Sequence, residues 1–276
     1  MEFFHGVILA VIQGLTEFLP VSSSGHLVIF QNFFDLKESM VSFDISVHFG
    51  TLLAVIVIFR KEIQDIIISL FSFLKSFIQR NHSLACINQD SDAKLAFLII
   101  TGSIPTGIIG LGFHNLADRL FSSIILTGIM LIITGFFLWG TKNIKNNNKT
   151  VENFSIKGAL LIGLIQGIAI LPGISRSGST IATGIFLGLN RKTAAKYSFL
   201  LSVPAIAGAE ILNLKSLYAA PALPLKITLA SIFTSFAVGV CSLKLLLYFV
   251  KQGRLHYFSP YCWFAGGAAL FYGIMI

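Results

Sequence analysis

Two stretches of this chain, LPVSSSGH at residues 19–26 and LPGISRSGST at 171–180, set proline, glycine and clustered hydroxyls inside segments that are otherwise hydrocarbon. At bilayer depth a broken backbone is tolerated only where it is buried in protein or lines a wet cavity. A chain built this way must fold its breaks inward.

That a bilayer is the solvent follows from composition. Of the 276 residues 55% are hydrophobic and 12% charged, with mean hydropathy +0.82, so a soluble domain's charged surface cannot be built. Six runs have bridging length: Val41 to Phe59, Leu95 to Phe113, Ser122 to Trp139, Tyr197 to Leu212, Leu225 to Val250 and Phe258 to Ile276. The two broken stretches, Phe3 to Phe34 and Gly158 to Leu189, read as re-entrant helical hairpins. The first run lacks a basic leader and a small-residue cleavage pattern, so it is expected to be retained. Cys86, Cys241 and Cys262 lack metal-ligand spacing and are expected to pack.

The net charge of +8 does not point to nucleic acid, because the cations sit in short connectors. Arg60, Lys61, Lys75, Arg80, Lys94, Lys142, Lys145, Lys149, Lys157, Arg191, Lys192, Lys196, Lys251 and Arg254 occupy one set of connectors. Lys37, Arg119, Lys215 and Lys226 occupy the alternate set. The richer set is expected to be cytoplasmic. The first hairpin then opens outward and the second inward, each followed by three crossings.

The expected fold is an all-α polytopic membrane protein with an inverted-topology repeat. It forms one membrane domain over 1–276, with 1–150 as the first repeat and 151–276 as the second. QGLTEFLPVSSSG and QGIAILPGISRSG agree with this, since Gln13 to Gly25 and Gln166 to Gly178 span the same distance. Such repeats bring broken helices to one midplane site.

The residues at that site carry chemistry. Gln13 and Glu17, four apart, share a helix face. A charge at bilayer depth costs roughly 2.5–3.5 kcal/mol even on the lenient insertion scale, so Glu17 needs a cation, a partner or water. Ser22, Ser23, Ser24, Gly25 and His26 then offer hydroxyl and imidazole. In the second stretch Arg176 is flanked by Ser175, Ser177, Gly178, Ser179 and Thr180, small donors suited to phosphate beside a planar fork. A carboxylate, a nucleophile with a base, and an anion clamp suit phosphoryl transfer. Asp44 and His48 on the next span either support the site or line its cavity. Glu210 and Lys244 are expected to snorkel. His5, His82, His114 and His256 read as loop or interface residues.

These two motifs resemble those of the bacterial undecaprenyl-diphosphate phosphatases associated with bacitracin resistance. QGLTEFLPVSSSGH is similar to the family's [E/Q]xxxE followed by PVSS[ST]GH, and PGISRSGST to PGxSRSxxT. The resemblance covers essentially the whole chain. It implies hydrolysis of C55-isoprenyl diphosphate to the monophosphate and inorganic phosphate, recycling a lipid carrier for peptidoglycan synthesis. The implied location is the bacterial plasma membrane, multi-pass, with the active site opening to the outer face. A divalent cation is implied, Mg²⁺ before Ca²⁺, and bacitracin resistance follows from sharing the drug's target. Membrane lipid and a second copy of the chain are the other expected partners.

Carried over, Gln13 and Glu17 hold the metal or orient water. Ser23 and His26 match the reaction centre. Ser22, Ser24, Ser175, Arg176, Ser177, Gly178 and Thr180 are the expected substrate contacts. Where many members have glutamate, this chain has Gln13, which adds no charge and cannot act as a base. The implied mechanism is attack on the terminal phosphorus by Ser23 or by water, with His26 as general acid/base, Glu17 and Mg²⁺ offsetting charge, and Arg176 stabilising the equatorial oxygens. The type 2 phosphatidic acid phosphatases fit less well, since Ala182 stands where they need histidine. The rival from another class is a lipid-phosphate transporter or flippase, which could use the same architecture to carry rather than cleave.

Overall fold

The computed structural model describes residues 2–34, 36, 41–78, 90–113, 116, 120–121, 123–145, 147–219 and 223–275, with backbone alone at 73–78 and 214–219. Cys86, His82, His114, Lys37, Arg80 and Arg119 lie outside the described residues, as do the side chains of Lys75 and Lys215.

The named elements are all helical: α1 Phe3–Thr16, α2 Ser23–Phe33, α3 Val41–Ile58, α4 Arg60–Ile78, α5 Ser91–Phe113, α6 Ile124–Trp139, α7 Ile156–Ile168, α8 Arg176–Phe186, α9 Arg191–Ala219, α10 Leu225–Lys251 and α11 Ser259–Met275. Four are long and apolar enough to cross a bilayer, namely α3, α5, α10 and, over Arg191–Asn213, α9. The other two expected spans are α6, of 16 residues, and α11, of 17, which pack along each other. At 1.5 Å per residue each covers roughly 25 Å, short of the hydrocarbon thickness. A second departure from the sequence reading is α4, a 19-residue helix within what reads as a connector. Its charges Arg60, Lys61, Glu62 and Asp65 crowd the first turns, while Ile63 and Ile66 pack on the core.

Both broken stretches have one local form. α1 ends at Thr16, residues 17–22 turn, and Ser22 caps α2 by accepting from the Gly25 amide at 3.3 Å. α7 ends at Ile168, and Ser175 caps α8 by accepting from the Gly178 amide at 3.1 Å. The proline in each turn cannot donate to a preceding turn of helix, and the S-x-x-G that follows is a helix start.

Partners recur in the same pattern. α1 packs on α10 and α7 on α5, while α3 also packs on α10 and α9 on α5. Glycines permit these approaches: a Cβ on Gly163 of α7 would overlap the Gly102 carbonyl of α5. At the α6–α11 crossing a Cβ on Gly128 would stand 2.9 Å from the Gly266 carbonyl oxygen. The main core lies behind the two breaks. Phe18 meets Phe199 edge-on with ring centroids at 5.9 Å, and Phe59 stacks on the same Phe199 ring at the same separation.

Candidate active site

The two breaks interlock. The Gly173 amide donates to Ser22 Oγ at 3.0 Å, and the Ser177 hydroxyl donates to the Phe18 carbonyl at 2.9 Å. A Cβ on Gly178 would stand 2.9 Å from Pro20 Cβ, and one on Gly25 would stand 3.1 Å from the Gly173 backbone. Small residues in both motifs therefore let the turns touch.

Around this joint the polar groups converge on Glu17. Arg176 Nη2 donates to Glu17 Oε1, joining the two motifs by a charge pair. The Ser23 hydroxyl donates to Glu17 Oε2 at 2.5 Å, and Gln13 Nε2 donates to the same oxygen at 3.1 Å. His48 Nε2 stands 4.0 Å from Oε2. The Glu17 side chain is 5% exposed and that of Arg176 16%, so this is a desolvated pair rather than a surface one. Removing one partner of such a pair typically costs about 3–5 kcal/mol. Two buried atoms beside it have no hydrogen-bond partner: Arg176 Nη1, a donor, and Gln13 Oε1, an acceptor. The carboxylate of the cluster is fully engaged, while one donor and one acceptor beside it are not.

His26 is placed differently from the sequence reading. Its Nδ1 lies 2.8 Å from the Ser22 carbonyl oxygen, which can only accept, so Nδ1 carries the proton. Its Nε2 lies 2.7 Å from the Tyr261 hydroxyl, and the two rings stack with an interplanar angle of 9°. Both nitrogens are thus engaged away from Ser23, whose hydrogen bond goes to Glu17.

Several expected substrate contacts have protein partners. Ser22 Oγ accepts from Gly25 and Gly173 and meets Ser24 Oγ at 3.3 Å. Ser175 Oγ serves as the α8 cap and meets Ser177 Oγ at 3.3 Å. The Thr180 hydroxyl bonds the Arg176 carbonyl at 2.7 Å and Ser198 of α9 at 2.5 Å. Ser23 and Ser24 are partly exposed, whereas Ser22, Ser175, Ser177, Gly178 and Thr180 are buried.

Other side chains escape motif reading. Asp44 accepts from Gln31 at 3.1 Å, and the Asp44 carbonyl accepts from His48 Nδ1 at 2.7 Å, which aims the opposite ring nitrogen at Glu17. Glu210 does not snorkel: its Oε2 is buried without a partner. Cys262 is buried and donates to the Pro20 carbonyl at 3.4 Å, as packing predicts, but Cys241 is exposed. Helical spacing marks His48 and Asp44 in the sequence, and the structure places His48 beside Glu17. Nothing in the sequence marks Tyr261, which lies 235 positions from His26.

Among the described residues no three histidine, cysteine or acidic side chains converge as a metal cage. One carboxylate and the spare oxygen of Gln13 do suit a cation that takes most of its ligands from phosphate and water, as Mg²⁺ does.

Known proteins supply the remaining comparison. A chain from Desulforapulum autotrophicum named undecaprenyl-diphosphatase is 51% identical over 275 residues, covering all of both chains. Chains of the same name from Desulfosudis oleivorans and Desulfatibacillum aliphaticivorans are 48% and 46% identical, over at least 98% of each chain. Residues 6–268 match the family model for the bacitracin resistance protein BacA, and the chain belongs to that family.

Proposed function

We propose that this protein is a membrane-embedded undecaprenyl-diphosphatase, hydrolysing undecaprenyl diphosphate to undecaprenyl phosphate and inorganic phosphate. The observation that carries the reading is the Glu17 cluster: a buried carboxylate bonded to a hydroxyl and to an arginine, with one guanidinium nitrogen still free to donate. A terminal phosphate needs these parts, an attacking oxygen with its proton acceptor and a donor for the charge on the equatorial oxygens. The relatives are named for hydrolysis, and transport is not favoured.

In this mechanism the phosphate enters between Ser23 and Arg176 and takes up the free Nη1 donor. Glu17 Oε2 accepts the proton of Ser23, or of a water in its place, as the oxygen attacks phosphorus. The bond to the bridging oxygen breaks and undecaprenyl phosphate leaves. If Ser23 attacks, water then hydrolyses the phosphoserine. Gln13 Oε1 and Glu17 would hold a divalent cation, which supplies charge neutralisation at the phosphate oxygens when bound. His26, one helical turn beyond Ser23, orients the substrate from its place against Tyr261. Ser175, Ser177, Gly178 and Thr180 act by holding α8 and Arg176 in position.

The architecture fits two inverted repeats, 1–150 and 151–276, with α1–α2 and α7–α8 as re-entrant hairpins. The exchanged partners, α1 on α10 and α7 on α5, support it. So does the shared S-x-x-G cap. The protein would sit in the plasma membrane with its site open to the outer face, recycling the carrier for cell-wall synthesis and conferring bacitracin resistance. The deciding experiment is release of inorganic phosphate from the C55 diphosphate by purified protein in detergent, where no second compartment exists. Binding without release would leave a carrier instead of an enzyme.

A further inference from the structure

We propose that the groove between α2 and α11 receives the isoprenoid chain of the substrate next to its diphosphate. The proposal rests on the phosphatase reading and adds where the hydrocarbon goes. The groove has a volume of about 290 Å³. His26 and Tyr261, from the first turns of their helices, line one end, and Phe33 and Tyr272, from the last turns, line the other. Phe30 and Ala268 lie between, and among the described residues no charged side chain lines it.

Three features favour hydrocarbon here over a peptide or a headgroup. The first is continuity: Ser23 of the Glu17 cluster and His26 of the groove are three apart on α2, hence neighbours on one helix face. The second is polarity. The hydrogen-bonded His26–Tyr261 pair stands at the site end, and the walls beyond are aromatic and aliphatic, matching a ligand with a charged head and an apolar tail. The third is a contrast within the fold. A second groove of about 310 Å³, between α5 and α9, is lined by Thr106 and Pro204 and contains none of the side chains around Glu17. Of these two grooves, only the α2–α11 groove begins at the reaction centre.

Length gives the test. At 1.5 Å per helical residue, Ala268 lies roughly 10 Å along α11 from Tyr261, beyond the reach of a single isoprene unit starting at the diphosphate. Ala268→Leu and, separately, Ala265→Leu narrow the groove. Gly267→Leu places the same side chain on α11 where a Cβ meets open space. Phosphate release is measured from the C55 diphosphate and from a C5 isoprenyl diphosphate. The expected result is that Ala268→Leu raises KM for the C55 substrate about threefold to tenfold with kcat kept. The effect is modest because the chain exchanges lipid neighbours for protein ones, so packing contacts are lost and not exclusion of water. Its turnover of the C5 substrate should stay within about twofold of the unaltered protein, which also reports an intact fold, and Gly267→Leu should match the unaltered protein on both. Equal effects on C55 and C5 substrates, or none from either groove variant, would overturn the groove. Absence of release from both substrates by the unaltered protein would instead overturn the phosphatase reading beneath it.

Discussion

Arg176 grips Glu17 through Nη2 alone and leaves Nη1 buried and without a partner. A fork facing a carboxylate commonly uses both prongs. Here one prong compensates the carboxylate and the other is buried without a partner, at a cost that a ligand acceptor would relieve. The resting ion pair solves the burial problem that Glu17 poses in a membrane, and the spare donor is the group that the proposed phosphate contact uses.

Arg176→Lys tests this division of labour. A lysine keeps the charge beside Glu17 but cannot hold a second donor in a fixed plane. The protein should fold with a near-normal melting temperature, while kcat falls about 10²-fold to 10³-fold, the usual cost of losing a transition-state donor. A rise in KM alone would make Arg176 a substrate holder. No change in either constant would make it a structural residue of the second break.

Much of this site is legible in the sequence because helix breaks are local chemistry. Pro20 and Pro172 stand beside glycine and clustered serines, a combination that breaks a helix where Pro105 and Pro204 alone do not, and the match of Gln13–Gly25 with Gln166–Gly178 pairs the breaks before any coordinate is known. The individual hydroxyls are not legible. A helix cap and an anion nest call for the same serines and glycines at the same spacing, and only the partners distinguish them. Ser175 caps α8, and Ser22 both caps α2 and accepts from Gly173. Contacts between distant helices leave no periodic trace, so Tyr261 against His26 is invisible until the chain is folded. α4 is hidden in the sequence because its charged start resembles a connector.

Glu17→Gln should abolish most turnover and also destabilise the protein. The amide cannot balance Arg176, so the second effect should approach the cost of an uncompensated buried charge, about 3–5 kcal/mol. Combining it with Arg176→Gln should restore part of the melting temperature and none of the activity, a coupling that a thermal-melt double-mutant cycle reads directly. Gln13→Glu supplies a second carboxylate where the spare Oε1 stands, and should lower the Mg²⁺ concentration needed for half-maximal rate. An unchanged Mg²⁺ requirement in Gln13→Glu would remove this residue from the cation site.

Membrane sidedness can be read with single cysteines in a cysteine-free background. Lys145 and Lys226 are both exposed and belong to the rich and the poor basic connectors respectively. A cysteine replacing Lys226 should react with an impermeant reagent added outside intact cells, and one replacing Lys145 only after the membrane is opened. Labelling of both from one side would refute the inverted repeat.

The Ser22–Gly173 contact is predicted to carry stability and not substrate affinity. Ser22 has φ +68°, and Gly173 has φ +98°, a backbone state that favours glycine. Gly173→Ala would drive a Cβ into the Thr127 carbonyl and should prevent a stable fold. Ser22→Ala keeps an unfavourable backbone and orphans two amides, each costing about 1–3 kcal/mol, whereas Ser22→Gly relieves the backbone while losing the same acceptor. Ser22→Ala should therefore melt lower than Ser22→Gly. Unchanged melting with a raised KM would return Ser22 to the substrate.

Ser23 and His26 separate the attacking group from its surroundings. Since the Ser23 hydroxyl bonds Glu17 and the His26 ring is held by Ser22 and Tyr261, the proposed mechanism makes Ser23 with Glu17 the unit that moves the proton. Residues acting as one unit are strongly non-additive. The Ser23→Ala, Glu17→Gln double variant should accordingly be no slower than the slower single variant. Ser23→Ala with His26→Ala should instead multiply the two losses, because in the proposed mechanism the histidine acts on substrate position and not on the proton. Single-turnover rates with saturating C55 diphosphate measure both pairs, and acid quenching during turnover of substrate labelled in its terminal phosphate looks for phosphoserine. A trapped phosphoserine that disappears in Ser23→Ala assigns the attack to that oxygen. Near-normal turnover in Ser23→Ala with a dead Glu17→Gln assigns it to a water activated by the same carboxylate. Should the Ser23–His26 pair be the non-additive one while Ser23 and Glu17 multiply, the imidazole is the base, and the Tyr261 hydroxyl must leave Nε2 before the reaction begins.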